Sequence, residues 1–118
     1  MTELERCRPW IEAALEYSGG THNFADVVAD IETGFAQFWP APRGCFVTHI
    51  LTFPQKKVLL FFLGGGDLQQ LALMHDDVLA WGKAQGCQSA MISGRNGWAR
   101  ILGSLSWTPL HQTLTREL

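Results

Sequence analysis

From Lys57 to Gly86 the chain reads as a strand, a glycine cluster and a long helix, with no linker between them. Val58-Leu59-Leu60-Phe61-Phe62-Leu63 is a continuous apolar run of branched and aromatic residues, the pattern of a strand buried on both faces. Gly64-Gly65-Gly66 is expected to end that strand in a turn, because residues without Cβ lose the most chain entropy on ordering. Asp67 is a favourable N-cap, and Leu68, Leu71, Ala72, Met74, His75, Val78, Leu79 and Gly82 then recur at helical spacing. Gly86 is the predicted left-handed stop. A glycine turn feeding a helix start presents free backbone N–H groups at the positive end of the helix dipole, which suits phosphate or carboxylate. Asp67 works against phosphate there, since its own carboxylate stands at the cap.

A chain of 118 residues is long enough for one core, so residues 1–118 are read as a single domain. Apolar residues make up 47% and charged ones 17%, which excludes a disordered polar chain. A net charge of −2 provides no footprint for nucleic acid or an anionic membrane surface. No apolar run approaches the roughly 20 residues of a membrane span, and Met1-Thr2-Glu3-Leu4-Glu5-Arg6 is too polar for a secretory signal. Cys7, Cys45 and Cys87 are odd in number and widely spaced, which argues against zinc or a redox pair. They read as buried thiols of a reducing compartment, and a cytoplasmic location is expected.

Leu4 to Tyr17 is read as an amphipathic helix, with its regular part starting near Arg8 because of Pro9. Gly19-Gly20 ends it, Thr21-His22-Asn23 supplies a cap, and a second helix runs from Phe24 to about Thr33. Phe35 to Trp39 is a short strand and Pro40 to Gly44 a turn. Cys45 to Phe53 is a strand rich in β-branched residues, and Pro54 to Lys57 turns it into the strand at Val58. Beyond the long helix come a strand at Gln88 to Ser93, a glycine turn at Gly94 to Gly97 and a short helix from Trp98 to Leu105. Terminal strand pieces are expected at Trp107–Leu110 and Gln112–Thr115. The order predicts an α+β domain whose mixed, mostly antiparallel sheet is flanked by helices.

This order and these residues resemble the GNAT superfamily of acetyl-CoA-dependent N-acyltransferases. In that family two helices precede a three-stranded meander whose third strand enters the helix that grips the cofactor's pyrophosphate. Val58–Leu63, Gly64–Gly66 and Asp67–Gln85 hold those positions here. Gly94-Arg95-Asn96-Gly97-Trp98-Ala99-Arg100-Ile101-Leu102, leading to Ser106-Trp107, resembles the family's short helix and closing Gly-aromatic pair. The likeness covers Leu4 to Leu118 and is nearest to short GNAT-like proteins carried in bacteriophage genomes; the first strand of a standard GNAT domain is missing. The resemblance implies acetyl-CoA held by Leu63, Gly64, Gly65, Gly66, Asp67, Arg95 and Asn96. Two departures stand out. The cofactor loop lacks the family's basic residue before its glycines, and Leu102 stands where the family often has a tyrosine acid.

Acyl transfer from a thioester to an amine needs a base for the amine and donors for the oxyanion. His49, on the central meander strand, is the candidate base. Asp30 and Glu32 stand at the end of the second helix, where a substrate cleft is expected. Arg95 suits a phosphate and Asn96 an amide of the cofactor. The alternative is a non-catalytic GNAT-fold protein that self-assembles or binds a protein partner through its aromatic surface or a sheet edge, for instance in a phage particle. Its setting is then the host cytoplasm or the virion.

Overall fold

The computed structural model describes residues 2–93 and 105–118. The first helix, α1 (Glu3–Leu15), starts under the Thr2 cap, whose hydroxyl accepts the Glu5 N–H at 3.1 Å. It begins well before Pro9, contrary to the expected start near Arg8. The proline removes one N–H, and the acceptor that loses it, the Glu5 carbonyl, belongs to an exposed residue that water can satisfy. Arg6 holds the first turns in place by donating to the Ala41 carbonyl at 2.9 Å and pairing with Glu3. Helix α2 (Phe24–Glu32) opens on a capping box in which Asn23 and Asp26 satisfy each other's backbone N–H groups.

Four strands follow. β1 (Ala36–Ala41), β2 (Gly44–Thr52) and β3 (Lys57–Gly66) form the antiparallel meander, and β4 (Ser89–Ile92) joins β3 in parallel after helix α3 (Leu68–Ala84). The sheet order is β1-β2-β3-β4. The expected turn at Pro40 to Gly44 shrinks to Pro42 and Arg43, because Pro40 pairs with Cys45. A proline is tolerated there since β1 is an edge strand and its missing N–H is not needed by a second neighbour.

The larger correction concerns the glycines. Gly64, Gly65 and Gly66 do not form a turn; they continue β3, opposite Phe46, Cys45 and Gly44. A glycine is required at Gly65, where a Cβ would lie 2.9 Å from the Trp10 Cβ and 3.0 Å from its carbonyl oxygen. At Gly66 the backbone has φ 113°, and Arg43 crowds the position where a side chain would stand. The run therefore lets α1 and the β1–β2 hairpin close onto the strand end, and the ladder to β2 outweighs the entropy that glycine loses in a strand.

Cores lie on both faces of the sheet. Cys7, Ile11, Leu15 and Val27 of α1 and α2 pack on Ala36, Cys45, Val47 and Leu63. Leu71 and Val78 of α3 pack on Phe46, Leu59 and Phe61, with Gly82 allowing α3 to lie directly on Leu59. Gly86, at φ 91°, ends α3 as expected. Trp107 adds its ring edge-on to Phe61 at 5.7 Å. Ser106 stands at the glycine position of the Gly-aromatic pair and has φ 70°, the left-handed conformation that glycine adopts most readily. The expected terminal strands are absent. Residues 107–118 pair with no strand among the described residues, and Leu110, Leu114 and Leu118 are exposed. Alternation alone does not make a strand where no edge accepts the backbone. The predicted glycine turn and most of the short helix, residues 94–104, lie outside the described residues. No helix among the described residues is long and apolar enough to cross a membrane.

The contact at Gly65 is testable by adding one methyl group. Gly65→Ala forces a Cβ against the Trp10 backbone, so urea unfolding is expected to show a loss of about 1–3 kcal/mol. An unchanged midpoint would show that α1 does not sit on this strand.

Candidate functional site

The ladder between β2 and β3 carries one irregularity. Val47 faces Leu63 and Thr48 faces Phe61, which leaves Phe62 as an extra residue on β3. β4 pairs only with Val58 to Phe61. Past the bulge, from Phe62 to Gly66, the edge of β3 on that side has no strand partner among the described residues. Backbone direction alternates along a strand, and the Asp67 N–H turns toward β2, donating to the Arg43 carbonyl at 2.7 Å. The N–H of Gly65 therefore also faces β2, while those of Gly64 and Gly66 face the open edge.

Beside this strand end lies a cleft of about 520 Å³, walled by Trp10, Ala13, Ala14, Pro42, Arg43, Gly64 to Gly66 and Asp67. Its apolar side comes from α1 and its charges come from one ion pair. Arg43 Nε donates to Asp67 Oδ2 at 2.9 Å, and Asp67 Oδ1 accepts the Gln69 N–H at 3.1 Å. The Arg43 hydrogen bond, aided by the Gln69 N–H, holds the Asp67 carboxyl below its ordinary range, so it is an anion at neutral pH. The head of α3 is thus capped by the chain's own carboxylate, which takes up the Gln69 N–H, as the place of Asp67 in the sequence leads one to expect.

His49 sits on β2 at 6% exposure, its ring stacked on Phe62 at 4.7 Å and tilted against Phe35 at 5.1 Å. His22 also packs on Phe62, tilted at 4.8 Å, so four rings are linked in contact at the bulge. The Nε2 atom of His49 is buried and has no hydrogen-bond partner among the described residues. Burial lowers the His49 pKa, the Asp30 charge on α2 opposes this, and His22 adds to the lowering. His22 itself is half-buried, with Nδ1 2.7 Å from the Thr21 hydroxyl. Sequence reading assigned residues 21–23 to a helix cap and missed His22 as a site residue. Only its position in the α1–α2 loop, which folds over β3, brings it to the bulge.

Of the residues expected to hold cofactor, Leu63 is buried under α1 and Gly64, Gly65, Gly66 and Asp67 line the cleft or its rim. Arg95, Asn96 and Leu102 lie outside the described residues. Burial pushes the Cys7 and Cys45 thiols up, so both remain protonated packing groups. Of the remaining histidines, His75 is buried, with Nδ1 2.9 Å from the Ala72 carbonyl, and His111 is exposed on the terminal segment.

No family model and no curated protein sequence matches the chain. Solved structures do. The fold is GNAT-like. A probable acetyltransferase superposes with a TM-score of 0.71 at 7% identity, over 98% of this chain and 91% of that one. A Trypanosoma brucei acetyltransferase matches with a TM-score of 0.64 at 11% identity, over 100% and 96%. The tetramutant of the BH1408 protein from Bacillus halodurans matches at 0.67 and 16% identity, over 98% and 92%. At such identities the likeness establishes the α+β architecture and its element order.

The buried imidazole generates a pH prediction. With its folded-state pKa lowered, His49 binds a proton more readily in the unfolded chain. Its contribution to stability is full above its ordinary value of about 6.5 and is lost as pH falls toward the folded-state value. Urea midpoints measured between about pH 7.5 and about pH 5.5 are expected to decline in the native protein and to decline less in His49→Phe. Equal slopes would remove His49 as the titrating group.

Proposed function

We propose that the chain is a small N-acyltransferase that uses acetyl-CoA. The observation carrying this reading is the edge of β3 from Phe62 to Gly66, which past the bulge has no strand partner among the described residues and is bordered by an apolar cleft. A pantetheine arm is an extended chain with two amides, and it can pair with a free strand edge as a peptide does. The N–H groups of Gly64 and Gly66 would hold it, with Trp10, Ala13 and Ala14 as the apolar wall. Acetyl-CoA, when bound, supplies the acyl group as a thioester.

Of the two histidines packed on Phe62, one is the proposed proton acceptor for the amine. His22, the half-buried one, takes the proton at the surface of the bulge. His49, held neutral by burial, stacks on Phe62 and keeps it in place. Asp30 lies close enough to His49 to act on its charge and extends the site toward α2.

Calorimetry tests the reading. Acetyl-CoA is expected to bind with a dissociation constant below about 1 mM, and Gly64→Pro, which removes an edge N–H that β2 does not use, is expected to weaken binding about tenfold. His22→Ala is expected to lower kcat/KM by about 100-fold in an assay of released thiol while leaving binding intact. Absence of heat at millimolar acetyl-CoA would end the enzyme reading. A second reading, a non-catalytic interaction protein such as a phage particle component, is favoured by Leu110, Leu114 and Leu118, which are exposed on a segment without strand partners among the described residues. It expects light scattering on the same sample to show assemblies.

A further inference from the structure

We propose that Asp67 makes this site selective for the acyl-pantetheine arm of its donor and indifferent to the nucleotide diphosphate beyond it; this rests on the acyltransferase reading. A helix N-terminus attracts phosphate because its first N–H groups lack partners and the dipole favours an anion. At the head of α3 the chain itself supplies an anion and takes up one of these N–H groups. The Gln69 N–H is bonded to the Asp67 carboxylate, and the Asp67 N–H to the Arg43 carbonyl. The Arg43 guanidinium beside them is paired with the same carboxylate at 2.9 Å. An arriving diphosphate meets a fixed negative charge, and the cation it would use is engaged.

The arm meets none of this. It is uncharged, and the surfaces that suit it are the Gly64 and Gly66 edge and the apolar Trp10 wall. The two halves of the donor therefore meet different surfaces: backbone for the arm, and for the diphosphate a cleft whose lining, among the described residues, holds no unpaired cation. An acyl thioester carrying the same arm on a group other than the adenine nucleotide is an equally good donor.

The test titrates the whole protein with acetyl-pantetheine and with acetyl-CoA, by calorimetry. The native chain is expected to bind the two within about threefold of each other. Asp67→Asn keeps the cap, because Asn and Asp rank together there, and frees Arg43. It is expected to tighten acetyl-CoA by about tenfold and to leave acetyl-pantetheine unchanged. Arg43→Gln leaves the carboxylate unneutralised and is expected to weaken acetyl-CoA alone. A native protein that binds acetyl-CoA tenfold or more tightly than acetyl-pantetheine overturns the proposal and leaves the acyltransferase reading standing. So does an Asp67→Asn variant that shifts both ligands alike. No heat from either ligand overturns both.

Discussion

The structure depends on how β3 shares its two edges. Its pairing with β2 runs the whole length, from Lys57 opposite Thr52 to Gly66 opposite Gly44. Its pairing with β4 stops at Phe61. Hydrogen bonding to β2 keeps the glycine end extended, and on the other side no strand among the described residues takes up its backbone donors. The extra residue at Phe62 falls where β4 ends, so the bulge and the opening of the edge coincide. The cleft and the linked rings both border this stretch of β3.

The two cores make this arrangement rigid. α1 presses on the glycine end through Trp10, and α3 presses on the other face through Leu71 and Val78. The same tight approach explains why the residues there are small. Gly65 admits the Trp10 backbone, and Gly44 admits Leu71. These glycines serve packing first, and the access to backbone N–H groups follows from it. The polar groups nearby are less settled energetically. A buried histidine nitrogen without a partner costs on the order of 1–3 kcal/mol, and among the described residues His49 bears such an atom, within the linked rings.

Much of the architecture was legible because each element carries its own local signal. Asn23 and Asp26 announce α2, the Val58–Leu63 run announces a buried strand, and the leucine and valine spacing after Asp67 announces α3. Errors came where a local rule met a tertiary partner. Pro9 was read as a helix start although solvent relieves it, and Pro40 as a turn although an edge strand tolerates it. The terminal alternation around Leu110 and Leu114 was read as strand, yet no edge among the described residues receives it. The site was half legible. Asp67 as a cap carboxylate was visible in sequence, because capping is a property of adjacent residues. Its pairing with Arg43, 24 positions away, was not.

The sequence by itself determined the α+β class, the order of helices and strands from α1 to β4, the extent of α3 and the acid at its head. These follow from spacing, caps and composition, all of which act between near neighbours. Tertiary structure alone decided that the three glycines are strand rather than turn, that Phe62 bulges, and that His22 and His49 both pack on it. Those outcomes depend on the register of β2 against β3 and on where α1 lands. Register and docking are set by contacts between residues far apart in the chain, and no periodicity along one segment encodes them.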